Sequence, residues 1–469
     1  MVIDTVTDGV SRAVGGITGT VTGLFTDPVI RLGVTGLSRA GKTVFITSLV
    51  ANLLDRGRMP QLASVASGAL QHAYLQPQPD DTIPRFDYET HLAAMTGTKP
   101  QWPQSTRAVS ELRLSLILQP RGVLSGFSGP KTIHLDIIDY PGEWLLDLGL
   151  LSKSYTEWSS GVLERLRLRD CGAPYLAKVA SLETQVRYDE PVAKALAAEF
   201  TRYLHAARAA GYADCTPGRF LLPGELEGSP VLTFAPLEGT GGRRSLLREM
   251  ERRFEAYKAK VVKPFFRDHF ARLDRQIVLL DVLGAIHEGP KAVEALRQTM
   301  ADTLAAFRPG RNAFLTSLLL GKRVDKILFA ATKADHLHHE QHAKLTAIME
   351  ALTRDASDRA RFAGAATGAM AISALRTTTE TTLDHDGRTL KAVAGLTESG
   401  KRAAYYPGEL PIDPSRILNP AREAAEDWPF GEVAVMRFQP ALQDIAPGDG
   451  PPHIRLDKAA EFLLGDRLR

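Results

Sequence analysis

The amino-acid sequence predicts an α/β fold, in which a mostly parallel β-sheet with flanking helices carries a large α-helical insertion. Three observations lead to this prediction. A glycine-rich loop at residues 36–43 joins an apolar, strand-like run to a helix-forming segment. Residues 144–268 carry long stretches of helical periodicity. From residue 269 onward, strand-like and helix-like segments alternate, which is typical of a parallel sheet covered by helices.

The same patterns divide the 469 residues into four parts. These are an N-terminal segment (1–28), the first part of the sheet domain (29–143), the helical insertion (144–268), and the second part of the sheet domain with a C-terminal extension (269–469). Apolar residues recur at roughly helical spacing in the N-terminal segment. They predict a helix that packs on the protein's own body or lies on a membrane or partner surface.

Composition limits the classes of partner and compartment. The 57 Lys and Arg residues against 54 Asp and Glu residues leave a net charge of +3, which is too small to indicate a nucleic-acid partner. Cys171 and Cys215 are the two cysteines, so a disulfide framework and a four-thiolate zinc site are excluded. The apolar runs are shorter than the ~18 residues that a membrane span needs. We therefore expect a cytoplasmic protein with no nucleic-acid partner.

Residues 36–43 read Gly-Leu-Ser-Arg-Ala-Gly-Lys-Thr, a complete GxxxxGK[ST] loop between a predicted strand (29–34) and a predicted helix (44–54). Such a loop aims backbone N–H groups at a phosphate, Lys42 adds positive charge near the outer phosphates, and the Thr43 hydroxyl can bind Mg²⁺. The N-terminus of the helix stabilises the phosphate charge. The predicted nucleotide-binding residues are Gly36, Ser38, Arg39, Ala40, Gly41, Lys42, Thr43 and Val44.

The next elements predict a second phosphate contact. Residues 77–103, rich in Pro, Asp and Thr, predict a long irregular excursion. The runs 110–118 and 132–139 predict an antiparallel hairpin that ends in Asp139-Tyr140-Pro141-Gly142. In this Asp-x-x-Gly pattern, the Asp139 carboxylate can hold Mg²⁺ through water, and the Gly142 N–H can bond a γ-phosphate.

Beyond the insertion, the sequence predicts further strands at 276–283, 324–331, 368–372 and 432–438, with helices at 291–307, 340–354 and 456–468. Two polar loops follow strands of this set. They are Thr332-Lys333-Ala334-Asp335 and Ser373-Ala374-Leu375.

These two loops indicate which base the nucleotide carries. Thr332 to Asp335 resemble the Asn/Thr-Lys-x-Asp motif of GTPases, in which the carboxylate accepts from guanine N1–H and the exocyclic amine. Adenine would leave that carboxylate unpaired, a loss of about 1–3 kcal/mol. The stem of Lys333 would cover the base plane. Ser373, Ala374 and Leu375 resemble the Ser-Ala-x loop whose backbone N–H contacts guanine O6.

The order of the four motifs resembles a Ras-type G domain, which is a P-loop NTPase fold. The expected ligands are therefore GTP or GDP together with Mg²⁺. Thr332 replaces the usual Asn, and this loss of an amide weakens the selectivity for the base without abolishing it.

The sequence is more specifically similar to the YcjX-like family of bacterial P-loop GTPases. The resemblance rests on residues 36–43, on Trp102-Pro103 with Thr106, on residues 139–144, on the Thr-Lys-Ala-Asp loop and on residues 452–457. It implies a G domain with a helical insertion, GTP binding and hydrolysis, and a stress-linked role near the inner membrane with an unidentified protein partner.

Within that frame, Thr106 is the candidate first-switch threonine that completes the Mg²⁺ shell with Thr43 and Asp139. Thr96, Thr98 and Ser105 are rivals for this role. Glu143 occupies the position where many GTPases place a Gln that orients water. Its negative charge near the γ-phosphate is unfavourable, so we expect slow hydrolysis by a catalytic set of Lys42, Thr106, Gly142 and Glu143.

Two alternative functions remain open from the sequence. One is a nucleotide-stabilised scaffold with negligible turnover, and the other is an ATPase, which Asp335 disfavours. Arg39 lies inside the phosphate loop, where it could reach phosphate oxygens or remain solvated. A group of histidines (His336, His338, His339 and His342) follows Asp335, and we interpret it as a solvated helix start rather than a metal site.

Overall fold

The computed structural model describes residues 27–37, 40–103, 108–119, 129–182, 187–210, 212, 214–268, 272–305, 324–442 and 445–469. Most of the predicted N-terminal segment, together with Ser38, Arg39, Ser105 and Thr106, lies outside these residues. The predictions made for them therefore stay predictions.

Seven strands form the main sheet in the order β2-β3-β4-β1-β5-β6-β7. Strands β4, β1, β5, β6 and β7 pair in parallel, whereas β3 runs antiparallel to both of its neighbours, β2 and β4. The predicted mostly parallel sheet and the predicted hairpin are thus confirmed. The strand bounds are β1 (Val29–Gly36), β2 (Leu70–Gln76), β3 (Ser110–Leu118), β4 (Lys131–Asp139), β5 (Arg275–Leu280), β6 (Lys326–Ala331) and β7 (Ala366–Ala371).

A smaller antiparallel sheet follows the main one in the chain. Its strands are β8 (Thr378–His385), β9 (Arg388–Leu396) and β10 (Arg402–Tyr405), with β9 in the centre. It begins directly after the Ser-Ala-Leu loop, so it lies beside the end of the main sheet where that loop emerges.

Helices flank the main sheet and fill the segment between β4 and β5. None of the helices among the described residues has the length and apolar character needed to cross a lipid bilayer. Their bounds are α1 (Lys42–Leu54), α2 (Ala63–Ala66), α3 (Tyr88–Thr96), α4 (Gly142–Leu146), α5 (Tyr155–Arg167), α6 (Ala173–Ala180), α7 (Glu190–Ala209), α8 (Gly218–Leu221), α9 (Leu246–Tyr257), α10 (Lys263–Asp268), α11 (Val282–Glu288), α12 (Pro290–Ala305), α13 (His342–Leu352), α14 (Arg354–Phe362), α15 (Ser415–Arg422) and α16 (Leu456–Leu464).

Apolar side chains cover both faces of the sheet. On β5, Ile277 and Leu279 join a core with α1 and α16 on one face, while Val278 and Leu280 join a core with α11, α12 and α13 on the other. A strand buried on both faces reads as a continuous apolar run, which is why β5 was recognisable in the sequence.

The helical segment between β4 and β5 has a core of its own, which also contacts the end of β4. Trp158 of α5 stacks on Phe254 of α9 with ring centroids 4.9 Å apart. The same core reaches Ile138 and Tyr140 at the end of β4. One continuous set of buried side chains therefore joins the insertion to the end of β4.

Two predicted segments, one strand and one irregular excursion, were wrong in part. The strand predicted at 276–283 ends at Leu280, because the Asp281 side chain accepts a hydrogen bond from the Gly284 N–H at 3.0 Å and begins helix α11. The excursion predicted at 77–103 contains the regular helix α3, which Asp87 caps. In both places a helix begins at a capping aspartate, which the spacing of apolar residues does not reveal.

The strand predicted at 432–438 was also wrong. Its residues have no regular secondary structure and make a single isolated bridge, between Phe438 and Thr397. Its backbone N–H and C=O groups bond loop residues and side chains instead of a neighbouring strand. For example, Ala434 N donates to Pro407 O at 3.0 Å. Val433 and Phe438 are both buried, so the apolar residues reflect packing of an irregular segment rather than a sheet.

Candidate functional site

The phosphate loop (residues 36–43) connects β1, the central strand of the sheet, to the N-terminus of α1. Gly41 is the N-cap of the helix and has φ +79°, a conformation that favours glycine. Thr43 lies in the first helical turn and is buried. Lys42 Nζ donates to the carbonyl oxygen of Gly36 at 3.1 Å, so its ammonium group lies over the loop that it was predicted to serve.

The Asp-x-x-Gly pattern lies directly beside this loop. Asp139 ends β4, is 1% exposed and stands opposite Val34 of β1 in the parallel register. Gly142 packs so closely on the loop that a Cβ there would overlap the carbonyl oxygen of Gly36. Two motifs about a hundred residues apart therefore form one corner of the site.

The donor set at this corner fits Mg²⁺. The Thr43 hydroxyl and the Asp139 carboxylate are hard oxygen ligands, which this ion prefers. Asp139 ends β4, and Thr43 lies in the first turn of the helix that follows the neighbouring strand β1. A few oxygen ligands suffice because Mg²⁺ keeps several waters and binds the phosphates of the nucleotide.

The Thr-Lys-Ala-Asp loop follows β6, two strands away from β1. Thr332 N donates to Leu280 O at 3.0 Å, and this bond anchors the loop to the end of β5. Lys333 adopts a left-handed conformation with φ 61°, and its ammonium group forms an ion pair with the carboxylate of Asp281. Asp281 was not predicted from the sequence, although an aspartate directly before a helix-forming run is a recognisable capping signal.

Asp335 is held by the loop after β7. Its Oδ1 accepts from Ser373 Oγ at 2.8 Å, and its Oδ2 accepts from Thr377 N at 2.9 Å and Thr377 Oγ1 at 2.8 Å. The carboxylate is 3% exposed. A carboxylate can accept about four hydrogen bonds. The three bonds from Ser373 and Thr377 leave about one acceptor position for a base, and a second bond to the base requires the Thr377 hydroxyl to turn away.

One cavity of about 840 Å³, called the central pocket below, joins these loops. Its wall includes Trp102 from the segment before β3 and residues of the helical insertion such as His205 and Arg208. The predicted site residues Gly36, Asp139 and Gly142 do not line this cavity. The predicted site residues that line the pocket are Ala40, Gly41, Lys42, Thr43, Val44, Glu143, Thr332, Lys333, Asp335, Ser373, Ala374 and Leu375.

Segment 142–147 spans the predicted start of the insertion at residue 144 and contacts later residues of the insertion through several of its side chains. Glu143 Oε1 pairs with Arg208 Nη2 of α7 at 2.9 Å. Trp144 lies under the guanidinium of Arg219, whose Cζ is 3.2 Å from the ring centroid. The indole Nε1 of Trp144 also donates to Leu222 O at 3.1 Å.

Asp147 completes this contact from a fully buried position. Its Oδ1 accepts from Gly218 N at 2.7 Å, and its Oδ2 accepts from the Tyr257 hydroxyl. Burial raises the pKa of Asp147 to about 7, although the hydrogen bonds from Tyr257 and Gly218 act in the opposite direction.

The interpretation of the histidines after Asp335 as a solvated helix start was wrong in part, because two of the four are buried. His336 and His342 are buried, and His342 Nε2 lies 2.7 Å from Ala334 O. His338 and His339 stand 3.6 Å and 2.9 Å from Glu380 Oε2, and with Glu340 they are close enough to share an ion. His338 and His342 are four residues apart but do not converge on one point, because His342 is buried and lies against the backbone of Ala334.

Together the fold and the site define a P-loop protein of the GTPase type, with the phosphate loop on the central strand and the Lys-x-Asp loop two strands away. The chain belongs to the YcjX-like family (DUF463), whose sequence model matches residues 30–468.

Two similar proteins carry the name "Ras-like GTPase YcjX". The one from Escherichia coli (strain K12) is 38% identical over 462 residues, covering 94% of this chain and 97% of that protein. The one from Shewanella oneidensis is 34% identical over 469 residues, covering 94% of this chain and 95% of that protein. The family resemblance inferred from the motifs is confirmed.

Proposed function

We propose that this protein binds GTP in the central pocket, hydrolyses it slowly to GDP, and transmits the nucleotide state to its helical insertion. The observation that carries the proposal is the position of segment 142–147. This segment packs on the phosphate loop through Gly142 and on the later residues of the insertion through Glu143, Trp144 and Asp147. A change at the phosphates therefore has a direct mechanical route to the insertion.

At the phosphate end, the chain's own groups bind and orient the triphosphate. Lys42 exchanges its contact with Gly36 O for phosphate oxygens, and the Gly142 N–H bonds the γ-phosphate. Thr43 and Asp139, with Thr106 as a proposed third ligand, would hold Mg²⁺, which neutralises phosphate charge when bound. In the reaction, a water oxygen bonds the γ-phosphorus, the bond to the β–γ bridging oxygen breaks with its electron pair on GDP, and the water protons end on inorganic phosphate and solvent.

At the base end, Asp335 supports guanine. Its position beside the pocket, fixed by Ser373 and Thr377, allows one acceptor bond without rearrangement and two after the Thr377 hydroxyl turns. An adenine ring offers no donor in the corresponding places, so ATP leaves the buried carboxylate short of a partner.

Calorimetry with GTP, GDP and ATP tests the base and phosphate assignments. Wild type is expected to bind both guanine nucleotides and to discriminate against ATP, and Asp335→Ala is expected to lose this discrimination. Asp358→Ala serves as a matched control, because that carboxylate is exposed on α14. An absence of guanine-nucleotide affinity in magnesium buffer contradicts the proposal, and a preference for ATP supports the ATPase alternative.

Single-turnover hydrolysis tests the activity. Wild type is expected to turn over slowly, because the negative charge of Glu143 near the γ-phosphate is unfavourable, and Lys42→Ala is expected to abolish turnover. Lys458→Ala, which removes an exposed lysine of α16, is the control. Tight GTP binding with no turnover above the Lys42→Ala background supports the scaffold alternative instead.

Hydrogen exchange compares the GDP-bound form with the form bound to a non-hydrolysable GTP analogue. We expect α8 and the last turn of α7 to differ in protection between the two forms, because they contact segment 142–147. Identical protection in both forms contradicts the switching part of the proposal and leaves nucleotide binding intact.

From the family resemblance we further propose a stress-related role and a peripheral contact at the inner membrane through a protein partner. Fractionation of cells with and without envelope stress tests it. The chain should move to the membrane fraction under stress, and an unchanged distribution contradicts the proposal.

A further inference from the structure

We propose that Arg208, supplied by the helical insertion, is the arginine that neutralises the charge developing on the γ-phosphate, and that Glu143 holds it when no triphosphate is bound. This inference rests on the proposed GTP hydrolysis and adds a catalytic residue to it.

The position of Arg208 sets it apart from other arginines of the same helix. It lies in the last turn of α7, its side chain is 29% exposed, and it lines the central pocket together with Lys42 and Thr43. Arg202, on the same helix, is 69% exposed and pairs with Glu199 on that helix. The insertion therefore turns one arginine toward the phosphate end and leaves the other at the surface.

Its partner explains why a cation is needed at this place. The Glu143 side chain is 7% exposed, and it immediately follows Gly142, the proposed γ-phosphate contact. A nearly buried carboxylate beside a triphosphate is strongly unfavourable unless a positive charge accompanies it. A guanidinium can bond a carboxylate and a phosphate oxygen at the same time, which an ammonium does less well.

The other cations of the described pocket wall have different places. Lys333 pairs with Asp281 at the base end, and Arg437 adjoins Phe438 there. His205, one turn before Arg208, has its pKa lowered by burial and by the charge of Arg208, so it is neutral near pH 7. Lys42 and Arg208 are then the cations of the described wall that flank Glu143 and the phosphate loop.

The chemistry that Arg208 would assist is the bond cleavage described above. As the bond to the β–γ bridging oxygen breaks, negative charge grows on that oxygen and is shared with the γ-phosphate oxygens. An arginine placed there accelerates phosphoryl transfer by about 10³–10⁵-fold. Since Arg208 belongs to the insertion, a partner that displaces α7 would also slow hydrolysis.

The test compares Arg208→Ala, Arg208→Lys and the matched control Arg202→Ala in the full chain. Single-turnover hydrolysis at saturating GTP is expected to fall at least 100-fold in Arg208→Ala and less in Arg208→Lys, with Arg202→Ala like wild type. The affinity for GDP alone, which also reports correct folding, should stay within about threefold of wild type in all three.

A binding readout separates a catalytic role from a structural one. GDP with aluminium fluoride mimics the charge of the transition state, so wild type should retain this complex and Arg208→Ala should lose it. Glu143→Gln breaks the same ion pair but keeps the guanidinium, and its hydrolysis should rise severalfold.

Three results overturn the inference. Hydrolysis in Arg208→Ala equal to or faster than wild type shows that Arg208 does not assist the reaction. A loss in Glu143→Gln as large as in Arg208→Ala shows that the ion pair, rather than the guanidinium, is required. A wild type that neither binds nor hydrolyses GTP overturns this inference and the proposed function together, whereas the first two results leave GTP binding and hydrolysis standing.

Discussion

Gly142 packs against Gly36 so closely that no side chain fits between them, because a Cβ on Gly142 would overlap the Gly36 carbonyl oxygen. This contact joins the end of β4 to the phosphate loop. It also places Gly142 beside the loop that would hold the outer phosphates, so any side chain at position 142 must push segment 142–147 away from that loop.

We therefore predict that Gly142→Ala weakens binding of a GTP analogue at least tenfold, about 1.4 kcal/mol, while GDP binding changes little. The reason is that a displaced segment loses its bond to the γ-phosphate, which GDP lacks. Calorimetry with both nucleotides measures the difference.

The control for this prediction is Gly161→Ala, inside helix α5. A Cβ there meets only Arg165 Nη1 at 3.7 Å, an ordinary contact. This variant should bind both nucleotides like wild type and gain up to about 1 kcal/mol of stability, since alanine favours a helix interior over glycine. Equal losses of GDP and GTP-analogue affinity in Gly142→Ala would contradict the assignment of its N–H.

A second prediction concerns Asp147, whose pKa burial raises to about 7 in the folded protein from an ordinary value of 3.8. The folded state binds the proton more tightly than the unfolded state, so stability should fall as pH rises from about 4 to about 7 and then stay level. The full change is about 4 kcal/mol. Asp147→Asn keeps the shape and carries no charge, so it should remove this part of the pH dependence.

Urea unfolding of wild type and Asp147→Asn between pH 4 and pH 8 measures the effect. The variant should be more stable than wild type at pH 8, with the difference shrinking as pH falls toward 4. Asp358→Asn, at an exposed position of α14, should follow wild type throughout. A constant difference between wild type and Asp147→Asn across the range would show that Asp147 is not protonated in the folded state.

Local patterns were sufficient to predict the parts of the site that each depend on a few neighbouring residues. The phosphate loop, Asp139 and the Thr-Lys-Ala-Asp loop all follow buried strands, and the ends of parallel strands meet at one edge of the sheet. The pairing of Glu143 with Arg208 could not be predicted, because Arg202 and Arg208 lie on the same helix and only the packing of that helix decides which one faces the pocket.

The sequence was also insufficient to predict where some elements end and which polar side chains are buried. Apolar spacing extended β5 through Asp281, since a capping aspartate interrupts an apolar run without ending it. The burial of His336 and His342 depends on packing against residues far along the chain, such as Phe438, whose ring is 5.5 Å from that of His336. No pattern within the loop encodes such a contact.

A third prediction concerns the ion pair between Asp281 and Lys333. Asp281 both caps α11 and fixes the left-handed Lys333 beside the base end of the pocket. Asp281→Asn keeps a good cap but removes the charge, so Lys333 should lose its position over the base. We expect guanine-nucleotide affinity to fall about tenfold, or about 1.4 kcal/mol, with little change in thermal stability.

Calorimetry with GDP and a thermal melt of the same sample measure both quantities. Asp87→Asn is the matched control, because Asp87 caps α3 in the same way and does not line the described pocket wall. An Asp281→Asn variant that binds GDP like wild type would show that Lys333 needs no anchor, and a large drop in melting temperature would assign the loss to folding.

A fourth prediction concerns Arg275, a buried cation that ties the C-terminal helix to the sheet. Its guanidinium donates to Leu463 O at 2.9 Å and pairs with Asp325 at 2.6 Å and Asp466 at 2.8 Å, while the side chain is 1% exposed. Replacing it with methionine fills most of the volume but leaves two carboxylates without their common partner. Because Asp325 and Asp466 are 47% and 41% exposed, water partly solvates them, and the expected loss in free energy of unfolding is that of the charged hydrogen bonds, about 1–3 kcal/mol.

Urea unfolding of Arg275→Met should show this loss, with no change in GDP affinity measured in the absence of denaturant. Arg467→Met is the control, because Arg467 pairs with the same Asp325 at 3.2 Å but is 56% exposed, and exposed pairs contribute at most about 1 kcal/mol. Since both variants remove an arginine from Asp325, the difference between them reports the buried position of Arg275 together with its bonds to Leu463 O and Asp466. If the two lose equal stability, the tie between α16 and β5 rests on apolar packing by residues such as Leu463, and the buried charge network adds nothing to it.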